Sequence, residues 1–451
     1  MYHEAYRPQF HFTAKQGWLN DPNGLVYFGG EYHLFFQFDF LLIGRDSSKS
    51  WGHAVSTDLV HWQQLSNALE PDALGPMWSG SAVVDWDNTS GVSPGLPPLI
   101  ALYTAAGGKS EESQGRSFTQ CLAYSIDRGR TWVKYAQNPV LPHVARGNRD
   151  PKVVWYAPTR RWIMALYLDN DQFGLFSSPD LKTWTQTQTL SLPGSGECPD
   201  FFSMPIAGTK EHRWVFTAAN GHYLVGAFNG TTFAPETPLL PGDAGASFYG
   251  GQTFSGIPAR DGRHIQIAWM RGGEYPNMPF NQQMSFPCTL TLHAATDGPR
   301  LFRWPVKEIA TLYGTPIQQH SIMLLPGADH AVPVPAGDLW DIEAEFAPTP
   351  AATAFGLRVR GTDIRYQTAS GGTLSSLDRQ VSLTPEPIGR IKLRLLLDRT
   401  SLEVFGNGGQ VSLTSCFLPK PGDTGLSVYA EGGAVTLVSL TAHPLRSAWK
   451  H

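Results

Sequence analysis

Apolar residues along this chain recur at every second position in short runs, and few stretches carry the spacing of a helix face. Runs at residues 52–55, 121–124, 162–167, 174–177, 214–218 and 265–270 are bounded by Gly, Pro, Asn and Asp, which is the pattern of β-strands ended by tight turns. Three of the runs lead into one shared motif: Ser56-Thr57-Asp58-Leu59-Val60-His61-Trp62, Ser125-Ile126-Asp127-Arg128-Gly129-Arg130-Thr131-Trp132 and Ser178-Pro179-Asp180-Leu181-Lys182-Thr183-Trp184. These are internal repeats. Their separation of roughly 50 to 70 residues is near or above one four-stranded propeller blade. An Asp in such a turn bonds backbone amides and the Trp packs between blades, so Asp58, Asp127 and Asp180 are expected to be structural. The number of strand runs before residue 310 predicts a five-bladed β-propeller.

After Arg303-Trp304-Pro305-Val306-Lys307-Glu308 the pattern changes. Trp becomes scarce, and alternating runs at 340–346, 355–359, 391–397, 401–405, 425–429 and 435–440 read as a β-sandwich. The expected fold is all-β, with a propeller over residues 1–310 and a C-terminal β-sandwich over residues 318–451.

Composition sharpens this picture in a few places. A chain of 451 residues is long for one core, which agrees with two domains. With 41% hydrophobic and only 16% charged residues it is globular rather than disordered. A net charge of -4 and the absence of any Lys/Arg-rich run argue against nucleic acid or a membrane surface as partner. Cys121, Cys198, Cys288 and Cys416 are far apart with no His at ligand spacing, so free, partly buried thiols are expected rather than a zinc site. No apolar run is long enough to span a bilayer, and Met1-Tyr2-His3-Glu4-Ala5 is not a signal peptide. The expected location is cytoplasmic as written, or secreted or periplasmic if a leader is missing from the sequence.

Candidate chemistry centres on Trp18-Leu19-Asn20-Asp21-Pro22-Asn23-Gly24-Leu25. Pro22 fixes its own φ and pushes Asp21 towards an extended conformation, while Asn23-Gly24 supplies the positive φ of a tight turn. The expectation is a rigid turn just before a strand, with Trp18 and Asn20 beside the carboxylate as a sugar pocket needs. Two further acids stand in similar settings, Asp150 in Arg149-Asp150-Pro151-Lys152-Val153 and Glu197 in Glu197-Cys198-Pro199-Asp200. Inner propeller strands all start at the central funnel, so acids distant in sequence can converge there.

On these three boxes the chain resembles glycoside hydrolase family 32, the β-fructofuranosidases (invertases, inulinases and levanases), from about Arg7 to Leu440. The resemblance implies Asp21 as nucleophile, Glu197 as general acid/base and Asp150 as transition-state stabiliser. Cleavage with retention needs a carboxylate and a protonated carboxyl about 5 to 5.5 Å apart. Glu197 is expected to keep its proton, raised by Asp21's charge and by desolvation, while Asn20 and nearby amides keep Asp21 ionised. The family's patterns also assign substrate binding to Asn20, Gln37, Trp78 and Ser79 in Trp78-Ser79-Gly80-Ser81, Arg149, Tyr249 and Trp269, with Trp51 as packing and Glu403 as a scaffold charge.

The departures lie at the pocket mouth. Residues 38–50 replace a loop in which relatives carry a tryptophan, and Ser247 stands where relatives often have Asp. The implied activity is a retaining exo-β-fructosidase acting on inulin- or levan-type fructans, fructo-oligosaccharides and sucrose. The alternatives are a fructosyltransferase, an inverting arabinan-type hydrolase or a non-catalytic fructan-binding protein. No metal or organic cofactor is expected, because two carboxyls and water complete the cycle.

Overall fold

The computed structural model describes residues 2–449 apart from Ala336, Pro421 and Asp423. Five sheets form the propeller, and each begins with an inner strand: Gly17–Phe28, Met77–Val84, Arg149–Tyr156, Asp200–Pro205 and Phe248–Thr253. A strand's place in its blade follows from its residues. Leu99–Ala105 (LIALYTA), second in its sheet, is buried at all seven positions, whereas the outermost strand Thr185–Ser191 (TQTQTLS) is polar and mostly exposed. The ring closes through Phe280–Asn281, which follows the fifth inner strand and pairs in parallel with Gly17 and Trp18. No sequence pattern announced that two-residue strand.

The three repeats are turns, as expected, and their chemistry is uniform. Asp58 accepts the N–H of Val60 and His61, Asp127 those of Arg130 and Thr131, and Asp180 those of Lys182 and Thr183, all within 3.0 Å. Those bonds hold Leu59, Arg128 and Leu181 at positive φ. Each Trp then closes its own turn, the indoles of Trp62, Trp132 and Trp184 donating to the carbonyls of Leu59, Gly129 and Leu181.

The remaining chain builds two six-stranded sheets around one apolar cluster. The sandwich is fastened to the propeller by its hairpin of Ile391–Asp398 and Ser401–Gly406. Asp398 accepts the backbone N–H groups of Gln9, Phe10 and His11, and Glu403 accepts that of Phe286. His11 lies between the two acids, Nδ1 at 2.9 Å from Asp398 and Nε2 at 3.0 Å from Glu403, all three fully buried. Glu403 is thus a scaffold charge. Burial opposes charge on His11, but its two carboxylate partners prevail and raise it to about 9, while Asp398 and Glu403 are held below their ordinary values.

Replacing His11 by Leu takes the shared cation from two buried carboxylates, leaving Glu403 only Arg303 among the described residues, at 3.5 Å, and is expected to cost about 3–5 kcal/mol, read as a lowered denaturant midpoint. The pH dependence follows from the same shifts. His11's contribution is full below its ordinary 6.5 and is lost as pH rises through about 9. That of Asp398 and Glu403 is lost as pH falls through their depressed values. Stability that is flat from neutral pH to well above pH 9 would contradict this account.

Candidate active site

Four of the five inner strands do not enter the funnel as regular strands. The register breaks between Leu19 and Pro22 in the first, Trp78 and Gly80 in the second, Arg149 and Lys152 in the third, and Tyr249 and Gln252 in the fifth. Such breaks turn side chains out of the regular alternation and re-aim them. The expected turn around Asp21 is therefore corrected. The segment lies within strand Gly17–Phe28, broken a second time between Asn23 and Val26, because Pro22 has no N–H for the ladder and Gly24 takes φ +54°. A Cβ on Gly24 would lie 2.6 Å from the Phe35 ring, so the kink needs this glycine. Asp150 at φ +63° and Glu197 at φ +59° sit in the left-handed region that few non-glycine residues occupy.

These distortions bring all three acids to one cavity of about 330 Å³. Asp21 Oδ2 accepts the Ser79 hydroxyl at 2.7 Å, and Ser79 in turn accepts Gln37 Nε2 at 3.2 Å. Gln37 and Ser79 both line the cavity and form a chain that orients Asp21. The other oxygen, Oδ1, is buried and has no hydrogen-bond partner among the described residues; Gly250 passes so close that a Cβ there would lie 3.1 Å from it. Arg149 bridges the other two acids, with Nη2 at 2.8 Å from Glu197 Oε1 and Nε at 3.8 Å from Asp150. Tyr249 donates its hydroxyl to Glu197 Oε2, and Cys198 N–H donates to Asp150 at 3.0 Å.

Trp78 and Trp269 line the wall, the Trp269 indole donating to Gln282 at 3.0 Å and standing edge-on to Tyr249. Trp51 is buried packing, its indole on the Trp78 carbonyl. Ser247 is outside the cavity; its hydroxyl accepts Cys416 N–H of the sandwich at 3.0 Å. None of the four cysteines is bonded to another. Four lining residues, Gly44, Asp46, Lys49 and Arg271, were not singled out from sequence. Arg271 was in view at the end of the Trp269 strand, and Lys49 stands alone just before Ser50-Trp51-Gly52-His53 in the atypical loop. That loop is anchored by Asp39, which accepts Leu41 and Arg45 N–H and the Ser48 hydroxyl, and it leaves Phe40 and Ile43 exposed beside the mouth. A larger cavity of about 730 Å³ is lined by Trp86, Trp155 and Phe202 but by none of the three acids.

The charge pattern reverses the expectation from sequence. Burial raises Asp21 despite Ser79, Lys49 and Asn20, with Glu197 adding to the rise. Burial likewise takes Asp150 to about 7, Arg149 opposing and the two other acids adding. Glu197 is raised by burial too, yet its bonds to Tyr249 and Arg149 and the charges of Arg149 and Arg271 outweigh this and hold it below its ordinary value. The reason is geometric: two guanidinium groups and a hydroxyl converge on Glu197, while Asp21 lies deeper with one cation. Three carboxyls this close titrate as a set.

Residues 11–305 match the model of the glycosyl hydrolases family 32 N-terminal domain, and residues 308–444 that of the family's C-terminal region. The chain is 38% identical to a levanase of Bacillus subtilis (strain 168), covering 99% of this chain and 72% of that one. It is 30% identical to the extracellular exo-inulinase inuE of Aspergillus niger, covering 99% and 96%. The crystal structure of exo-inulinase from Aspergillus awamori superposes with a TM-score of 0.88 at 27% identity over the whole of both chains.

Proposed function

Because this chain belongs to glycosyl hydrolases family 32, we propose that its funnel cleaves terminal β-fructofuranosyl residues by a retaining, two-step displacement. The protein is a glycoside hydrolase with β-fructosidase activity on fructans and sucrose. The observation that carries the mechanism is that Asp21, held by Ser79, lines one cavity together with Glu197 and Asp150.

In the first step a carboxylate oxygen of Asp21 bonds to the anomeric carbon as the bond to the leaving oxygen breaks, and Glu197 gives that oxygen its proton. In the second, Glu197 takes a proton from water, whose oxygen displaces Asp21. The Ser79 hydroxyl keeps Asp21 from rotating. Asp150, held by Cys198 N–H and Arg149, binds sugar hydroxyls and balances the developing positive charge. Glu197 starts as the most exposed of the three acids, its side chain 36% accessible. A sugar seated over it removes that water and favours the protonated form. The Tyr249 and Arg149 bonds are then free to return when Glu197 becomes the base.

The small cavity fits one terminal sugar unit, with Trp78 and the apolar Phe40 loop left for the remainder of the chain. Digestion of sucrose, inulin and levan is therefore expected to release free fructose from the first time point in all three. A ladder of oligosaccharides preceding fructose would overturn the exo reading.

A further inference from the structure

We propose that Lys49 is a positioning residue of this reaction, which holds the Asn20 amide in one orientation and supplies the cation opposite Asp21. The inference rests on Asp21 being the nucleophile. Lys49 is 7% exposed and lines the cavity, at the end of the loop where the sequence departs from its relatives. Its backbone is fixed by Met77, whose N–H donates to the Lys49 carbonyl at 2.8 Å. Its ammonium donates to Asn20 Oδ1.

An ammonium has donors and no acceptor, so the amide oxygen of Asn20 must face it. The N–H₂ end is thereby turned to the other side, where Asn20 favours the ionised form of Asp21. Without Lys49 the amide is free to flip and offer Asp21 an oxygen. The charge matters as well. Asp21 is faced by the negative Glu197, with Asp150 close by, and Lys49 is the cation that opposes its desolvation. Burial pulls Lys49 below the ordinary lysine value, opposed by Asp21, Asp46 and Asp39, which favour its charged form. Arg149 and Arg271 act on Glu197 instead.

The sign of the pH effect follows. Activity falls on the acid side as Asp21 takes up a proton, so removing the cation raises Asp21 and moves the acid limb to higher pH. The test is the pH profile of kcat/KM on sucrose for the wild type, Lys49→Met and Lys49→Arg. Lys49→Met is expected to lower kcat about 10- to 100-fold with little change in KM, and to move the acid limb up by about one pH unit. Lys49→Arg is expected to return the limb to the wild-type position. If Lys49→Met does not fold, Lys49→Gln, which keeps an N–H donor for Asn20 and drops only the charge, carries the same expected shift.

An acid limb that stays in place when the charge is removed, or that moves as far in Lys49→Arg, overturns the proposal. The nucleophile reading is tested separately, by whether a Glu197→Gln enzyme is labelled on Asp21 by a fructosyl donor with a good leaving group. Label present with an unmoved limb removes Lys49's role alone; label absent from Asp21 removes the reading beneath it.

Discussion

Asp21→Asn is expected to lower kcat on sucrose by about four to five orders of magnitude, or about 5.5 to 7 kcal/mol of barrier, while the protein remains folded. The substitution keeps the shape of the side chain and an oxygen for the Ser79 hydroxyl, which now meets Oδ2 at 2.7 Å. It removes the negative charge of the carboxylate, and an amide neither attacks the anomeric carbon nor leaves it as a stable anion. Burial already raises Asp21, so a neutral group there costs the fold nothing, and the thermal midpoint is expected at or above that of the wild type. Kinetics on purified protein with a matched unfolding curve checks both parts. Turnover near the wild-type rate would remove Asp21 from the reaction, and loss of the folded state would make it a structural residue.

Glu197→Gln is expected to separate substrates by their leaving groups. A natural fructoside needs its leaving oxygen protonated, and loss of the general acid should cost about 10³- to 10⁴-fold. Fructosyl fluoride needs no proton, so its first step should proceed at close to the wild-type rate. The second step still lacks its base, and the expected trace is a fast burst followed by slow turnover. Arg149 and Tyr249 retain an acceptor in Gln for part of their hold on residue 197, which confines the change to proton transfer. Equal losses on both substrates would contradict the acid role.

What the sequence disclosed follows a physical division. The three acids were legible because each sits where the backbone is bent, and bending leaves local marks: Pro22 and Gly24 after Asp21, Pro151 after Asp150, Pro199 after Glu197. The Ser-x-Asp turns were legible for the same reason, since donor, acceptor and indole lie within seven or eight residues. Features made by residues distant in the chain were not. The ionisation of Glu197 depends on Arg149, Tyr249 and Arg271 arriving from two other blades, and the expected pKa order came out reversed. The kinked strand at Asp21 passed for a turn because proline and glycine mark both. Lys49 was hidden because a single lysine in the polar stretch 44–50 looks like solvated surface until that stretch is folded back on Asn20.

The account stands on Asp21 bonding to the sugar midway through the reaction, and one measurement tests that bond itself. Glu197→Gln enzyme mixed with fructosyl fluoride and quenched within the burst should gain the mass of one fructosyl unit, and peptide mapping should place it on Asp21. An unmodified protein at a time when fluoride has been released, or an adduct on any other side chain, would contradict a covalent mechanism through this residue.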